Sequence, residues 1–259
     1  MMKYIIYLAV FLTKVQPAFS YIPNLDFILN KATSTTGRQI ISIDQDVVFK
    51  IGSEEAIIQE NWLIEGDKNL KLIARGQGFF SQNINLNYLY NSKNKTSVIG
   101  KAKISSPLTT DFYQKLLFIR STDAFKMHLK ELGINNQIRL SRADGRISFA
   151  IGAPSGEKLS PQIWIDQDEF VIRKIRLPSE TEINLSDITN ISGDLWVAKS
   201  QMINWAGVQV QVKIKNVSVK TGATLSNFYP QNLNDPSDLS FSNKSVLTEA
   251  IHQFYLRFR

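Results

Sequence analysis

The chain of 259 residues contains no cysteine. That absence excludes disulfides, thiolate nucleophiles, zinc–cysteine sites and iron–sulfur clusters. It also denies the chain the lipid-modified cysteine of a bacterial lipoprotein. Histidine is nearly missing: His128 and His252 are the only two, which leaves little for acid–base work or metal ligation. Beyond the N-terminus no apolar run approaches the roughly 20 residues that a membrane-spanning helix needs. With 43% hydrophobic and 20% charged residues, the composition excludes collagen, a disulfide miniprotein and a wholly disordered chain. The length allows one or two domains, either able to bury a core without cross-links.

Catalytic motifs are wanting as well. Gly152-Ala-Pro-Ser155-Gly156 lacks the Gly-x-Ser-x-Gly spacing of a nucleophile elbow and reads as a turn. Asp166, Asp168 and Glu169 imitate part of a calcium loop, but the glycine and the later bidentate glutamate are absent, so a hairpin turn is expected. His128 sits in a helical stretch with no second ligand at metal spacing. The expectation is a protein that is not an enzyme and carries no cofactor.

What is present begins with an address. Residues 1–3 are a short positive start, 4–12 an uninterrupted apolar run, and 13–20 end in Ala18-Phe19-Ser20. Small residues at the first and third positions before the cut suit signal peptidase, so residues 1–20 are expected to be a cleaved signal peptide; an ordinary buried N-terminal helix is the other reading. Export makes the periplasm the expected location. The net charge of +7 would elsewhere suggest nucleic acid. Here the lysines alternate with apolar residues along strands instead of forming a block, so no nucleic-acid partner is expected.

Residues 24–33 read as a short helix capped by Asn24, with Leu25, Ile28 and Leu29 on one face. After Gly37 the period changes to two. Ile41, Ile43, Val47, Phe49 and Ile51 share one parity; Ala56, Ile58, Trp62 and Ile64 another; then come Leu70, Leu72 and Ala74. Ile84, Leu86, Tyr88 and Tyr90 stand against Asn83, Asn85 and Asn87, and Val98, Gly100, Ala102 and Ile104 alternate with Ser97, Lys101 and Lys103. These are five strands with one dry face. Helical spacing returns over 109–132, where Ser121-Thr122-Asp123 can split the stretch into two helices. About six more strands follow, with a hairpin at Asp144-Gly145 and a parity flip at Asn216 that suggests a bulge.

A one-sided sheet of about eleven antiparallel strands cannot stay flat. The expected fold is α+β: an open antiparallel half-barrel with the mid-chain helices as a lid on its concave face. A membrane β-barrel competes, but it would leave those apolar helices without a home. Residues 230–243 look like a linker. Residues 244–259 read as an amphipathic helix with Val246, Leu247, Ala250, Ile251, Phe254 and Phe258 on one stripe, packing back on the sheet, touching a membrane surface or holding a partner.

A short helix, a polar-flanked Trp strand (Gln59-Glu-Asn-Trp62-Leu-Ile), a meander, helices, then Ile163-Trp-Ile-Asp-Gln-Asp168 and a lysine-rich strand ending in Leu225-Ser-Asn-Phe228 together resemble the LolA-like outer-membrane lipoprotein-sorting proteins over roughly residues 22–230. The resemblance implies a half-barrel domain over 21–229 that shields the acyl chains of lipoproteins or lipid in the periplasm. It also implies exchange with an inner-membrane donor complex and an outer-membrane acceptor, as a monomer. The better-known carriers follow the Trp strand with an Arg-Pro step whose arginine helps hold the lid. Here the strand continues Leu63-Ile64-Glu65-Gly66, and that residue is not carried over.

The inward residues Ile58, Trp62, Ile64, Leu72, Leu86, Tyr88 and Tyr90, with the lid residues Phe112, Leu116 and Phe125, have the chemistry of an acyl cavity; they read equally well as permanent core. Glu60 lies between inward Ile58 and Trp62, where a buried acid needs a basic partner, so the wet rim is its expected place. A rival function is an envelope-stress or assembly regulator that senses lipid or binds a protein through the C-terminal helix.

Overall fold

Asn24 caps the first helix, its Oδ1 accepting the Phe27 N–H at 2.8 Å. Helix α1 (Leu25–Thr33) then buries Ile28, Leu29 and Ala32. The computed structural model describes residues 22–91, 93–154, 156, 159–241 and 243–259; the expected signal peptide and Ser155 lie outside them. After α1 the alternation of apolar and polar residues builds β1 (Ile41–Ile51), β2 (Glu54–Glu65), β3 (Asn69–Gly76), β4 (Ile84–Asn91), β5 (Asn94–Ile99) and β6 (Ala102–Pro107). Helices α2 (Gln114–Leu117) and α3 (Thr122–Glu131) interrupt. Ser121 separates them and caps α3 through the Ala124 N–H. The second run is β7 (Ile138–Ala143), β8 (Arg146–Ile151), β9 (Gln162–Asp166), β10 (Ile172–Arg176), β11 (Glu182–Ser192), β12 (Leu195–Trp205) and β13 (Val208–Val219). It is followed by β14 (Asp238–Leu239) and helix α4 (Val246–Arg257).

All fourteen strands lie in one open antiparallel sheet ordered β6-β5-β4-β3-β2-β1-β13-β12-β11-β10-β9-β8-β7, with β14 beside β4. The edges are β6 and β7, and the chain between them is the helical segment itself. The helices of that segment bury Leu116, Phe125 and Leu129 in the core on the concave side, which makes α2 and α3 the lid. The strand count exceeds the expected eleven for a physical reason. Gly100 adopts φ +61° and turns the chain back on itself, so the apparent single strand over 97–104 is the β5–β6 hairpin. The bulge falls beside Asn216: Asp44 pairs with Asn216 and Gln45 with Ile214.

Every second side chain faces inward, and one continuous apolar core fills the concave side. On the convex side a smaller cluster joins Leu89 and Val98 to Phe228 and Leu233. Residues 220–240 therefore run over the back of the sheet. Ser237 fastens them to the edge by its amide to Val98 O and by its hydroxyl to Asn87. Asp238 and Leu239 pair with Asn85 and Ile84. The chain then rounds the edge, and α4, capped by Ser245 with Thr248, lies on the concave face.

The β9–β10 turn settles the Asp166 question. Its buried carboxylate accepts the Asp168 and Glu169 amides at 2.9 and 3.0 Å and the Arg173 Nε at 3.0 Å, so it is a turn anchor. Burial pushes this carboxyl up, but the two amides and Arg173 outweigh it and hold it below its ordinary value. Glu182, half-buried and paired with Lys174 and Arg176, is held low in the same way. Groups with depressed pKa leave the unfolded state binding more protons, so their stabilisation is complete above about pH 5 and is lost as pH falls below about 4. The urea midpoint is expected to drop through that window and Asp166→Asn to flatten the drop; an unaltered acid limb in the variant would contradict this.

Candidate functional site

The centre of the concave face is polar where sequence reasoning expected only apolar side chains. Glu60, expected at the rim, is 2% exposed. Its partner is Arg259, just beyond α4 and equally buried: Nε donates to Oε1 at 2.9 Å and to Oε2 at 3.1 Å. Gln45 Nε2 and Trp62 Nε1 complete the carboxylate at 2.6 and 3.0 Å. Arg259 Nη1 reaches the Tyr113 hydroxyl at 3.3 Å, and that hydroxyl donates to Gln201 Oε1 at 2.7 Å. Burial alone would pull the Arg259 pKa down; Glu60 and the Tyr113 hydroxyl raise it above its ordinary value. Its guanidinium carbon lies 4.6, 5.5 and 5.7 Å from the ring centres of Phe254, Trp62 and Tyr113, a cage whose ring faces favour a cation.

Around this pair the C-terminal helix is fitted into the sheet. Phe254 meets Phe49 edge-on at 5.2 Å, and Phe258 packs on Trp205 at 5.0 Å. The end of the helix is latched to the lid segment, since Arg257 Nη2 pairs with Asp111 Oδ2 at 2.7 Å and Thr109 bonds to the Arg257 carbonyl. Lys95 on β5 donates to the Arg259 main-chain oxygen at 2.9 Å; burial pulls its pKa down to about 8. Arg259 thus ties the sheet, through Glu60, to the lid segment, through Tyr113.

The expected acyl-cavity residues gather on one face. Trp62 stacks on Tyr90 at 5.6 Å and Tyr90 on Phe112 at 4.5 Å. Ile58, Ile64, Leu72, Leu86, Leu116 and Phe125 are buried in the same core, and Tyr88 packs against it half-buried. Trp62, Ile64, Leu116 and Phe125 also line a cavity of about 50 Å³ between sheet and lid. The space is small, and buried core side chains occupy most of the concave face around it. Phe254 and Phe258 were legible as members of an apolar stripe. Arg259 and Gln201 carried no signal, because their roles depend on partners far away in sequence, whereas Gln45 stands at an inward position of β1 and faces Glu60 across the β1–β2 pair.

No helix among the described residues is long and apolar enough to cross a membrane. Among them, too, no group of three or more acidic or histidine side chains could hold a metal ion.

No protein-family model and no curated protein matches the chain. Solved structures do. The chain is similar to a LolA superfamily protein from Nitrosomonas europaea, with TM-score 0.59, 11% identity, and 80% of this chain and 98% of that one covered. It is similar to an outer membrane lipoprotein-sorting protein domain from Vibrio parahaemolyticus, with TM-score 0.56, 12% identity, and 81% and 97% covered. A DUF1329 family protein from Desulfovibrio piger follows, with TM-score 0.53, 9% identity, and 81% and 98% covered. At such identities the likeness is one of fold. The half-barrel with its helical lid is LolA-like.

Proposed function

We propose that this protein is a non-enzymatic binder and carrier of acylated cargo, lipid or lipoprotein, which it holds in the half-barrel in the periplasm after export. The supporting observation is the concave face, apolar except around Glu60 and Arg259, beneath two covers, the lid and α4, with a residual cavity of about 50 Å³ at Trp62 and Phe125. Burying an acyl chain contributes roughly 0.8 kcal/mol per methylene, so about ten contribute about 8 kcal/mol. The room must come from the covers. Release follows when the same covers reclaim the surface, because only a difference in affinity between open and closed states shifts the balance. Handing cargo from an inner-membrane donor to an outer-membrane acceptor, as a monomer, is the route this reading implies. The regulator reading is less well supported, since the apolar stripe of α4 is spent on the sheet: Ile251, Phe254 and Phe258 are fully buried.

Mass spectrometry of the protein purified from its native envelope tests the proposal. Acyl chains or lipoproteins are expected to travel with it. An empty cavity beside one stoichiometric protein partner would favour the regulator instead. In solution, a fatty-acyl probe is expected to change tryptophan fluorescence, with the change lost in Trp62→Phe. A wild-type signal that stays constant at saturating probe speaks against an accessible cavity.

A further inference from the structure

Outside the half-barrel a second cavity of about 430 Å³ opens between the lid and the β2–β3 and β4–β5 turns. It is larger than the interior one and differs in chemistry. One wall is apolar, with Leu108, Phe112, Leu116 and Leu132; the charged groups lining it are Lys68, Lys93 and Lys115 against Asp67 and Glu131, with His128. The two acids are already engaged, since His128 Nε2 lies 3.8 Å from Asp67 and Nδ1 3.0 Å from Glu131.

Lys115 is the anomaly. It is 8% exposed, and its ammonium has neither a hydrogen bond nor an ion pair with any described residue. Burial lowers its pKa, while Asp67 and Glu131 act the other way from beyond ion-pair distance. Its stem is buried while its ammonium keeps contact with the solvent of the cavity, which two exposed lysines also line. Leu116, the next residue, lines both this cavity and the interior one, so the single turn of α2 is the wall between them.

We propose that this outer cleft binds the oxyanion head of an amphiphile, a phosphate or carboxylate held by Lys115 with Lys68 and Lys93, while the alkyl chain lies on the wall of Phe112, Leu116 and Leu132. The volume falls within the range usual for small-molecule sites. The head site stands on its own residues; only the passage of the chain past Leu116 into the half-barrel rests on the acyl-carrier reading.

Calorimetric titration with three probes below their micelle concentrations tests it: dodecyl phosphate, dodecyl maltoside (same chain, neutral head) and inorganic phosphate. Dodecyl phosphate is expected to bind at least ten-fold more tightly than either of the others. Lys115→Met is expected to remove at least ten-fold of that affinity, and the exposed Lys93→Gln about three-fold, which keeps a readout if the buried variant folds poorly. Equal affinity for dodecyl maltoside would overturn the head site, and equal affinity for inorganic phosphate would overturn the amphiphile. Affinity for dodecyl phosphate that is unchanged in both lysine variants would place binding elsewhere. Trp62 fluorescence in the same titrations separates the two proposals. A Trp62 response without head preference leaves the half-barrel reading standing and this one fallen, and lysine-dependent binding with Trp62 silent does the reverse.

Discussion

Glu60→Ala is expected to cost about 3–5 kcal/mol of stability, the range for removing one partner of a buried ion pair. At about 2–4 °C per kcal/mol for a domain of this size, the melting temperature falls by roughly 6–20 °C. The effect is large because one carboxylate serves three donors. Without it Arg259, Gln45 Nε2 and Trp62 Nε1 are stranded in a site where neither side chain of the pair is exposed. Pairing is the cause, so the double variant Glu60→Gln/Arg259→Met is expected to be more stable than Glu60→Gln alone, because the double leaves no unpaired charge buried in the site. Denaturant unfolding of the two singles and the double gives the coupling energy directly. Coupling within a few tenths of a kcal/mol of zero would mean that the pair is incidental to the docking of α4.

Phe254→Ala is expected to cost a similar amount, about 3–5 kcal/mol, since it leaves a cavity among Phe49, Trp205, Tyr255 and Phe258. It also removes a ring from beneath the Arg259 guanidinium. The informative part is the ligand. If α4 competes with an acyl chain for the concave face, loosening it raises the fraction of open molecules and the apparent affinity with it. Fluorescence titration of a fatty-acyl probe is therefore expected to show tighter binding in Phe254→Ala than in the wild type, alongside the loss of stability. Lost stability with no gain in probe affinity identifies α4 as permanent core.

Strand parity made much of the architecture legible. Ile84, Leu86 and Tyr90 face in because period two leaves no alternative once one face is dry, and the asparagine at 24 and serine at 121 announce helix starts by the caps they form. Turns were harder. Gly100 continued an alternating pattern and concealed a reversal that only its positive φ reveals. The site was legible as an apolar set and illegible as a network. Periodicity reports which way a side chain points, whereas Glu60 and Arg259 stand 199 positions apart and meet only because the chain rounds the sheet. A polar residue at an inward position says that a partner exists without saying where, and for Glu60 the rim looked the cheaper answer.

The crossing of the chain from the back of the sheet to its concave face has a kinetic meaning. Six residues, 240–245, join β14 to α4, and that length spans at most about 20 Å. A helix displaced by cargo therefore stays leashed beside the surface it left, at an effective concentration in the millimolar range for so short a connection. Its return is unimolecular and independent of how dilute the protein is. Under the acyl-carrier proposal, an incoming chain would face a competitor that can neither be washed away nor depleted, and unloading would require only a destination that outbids it.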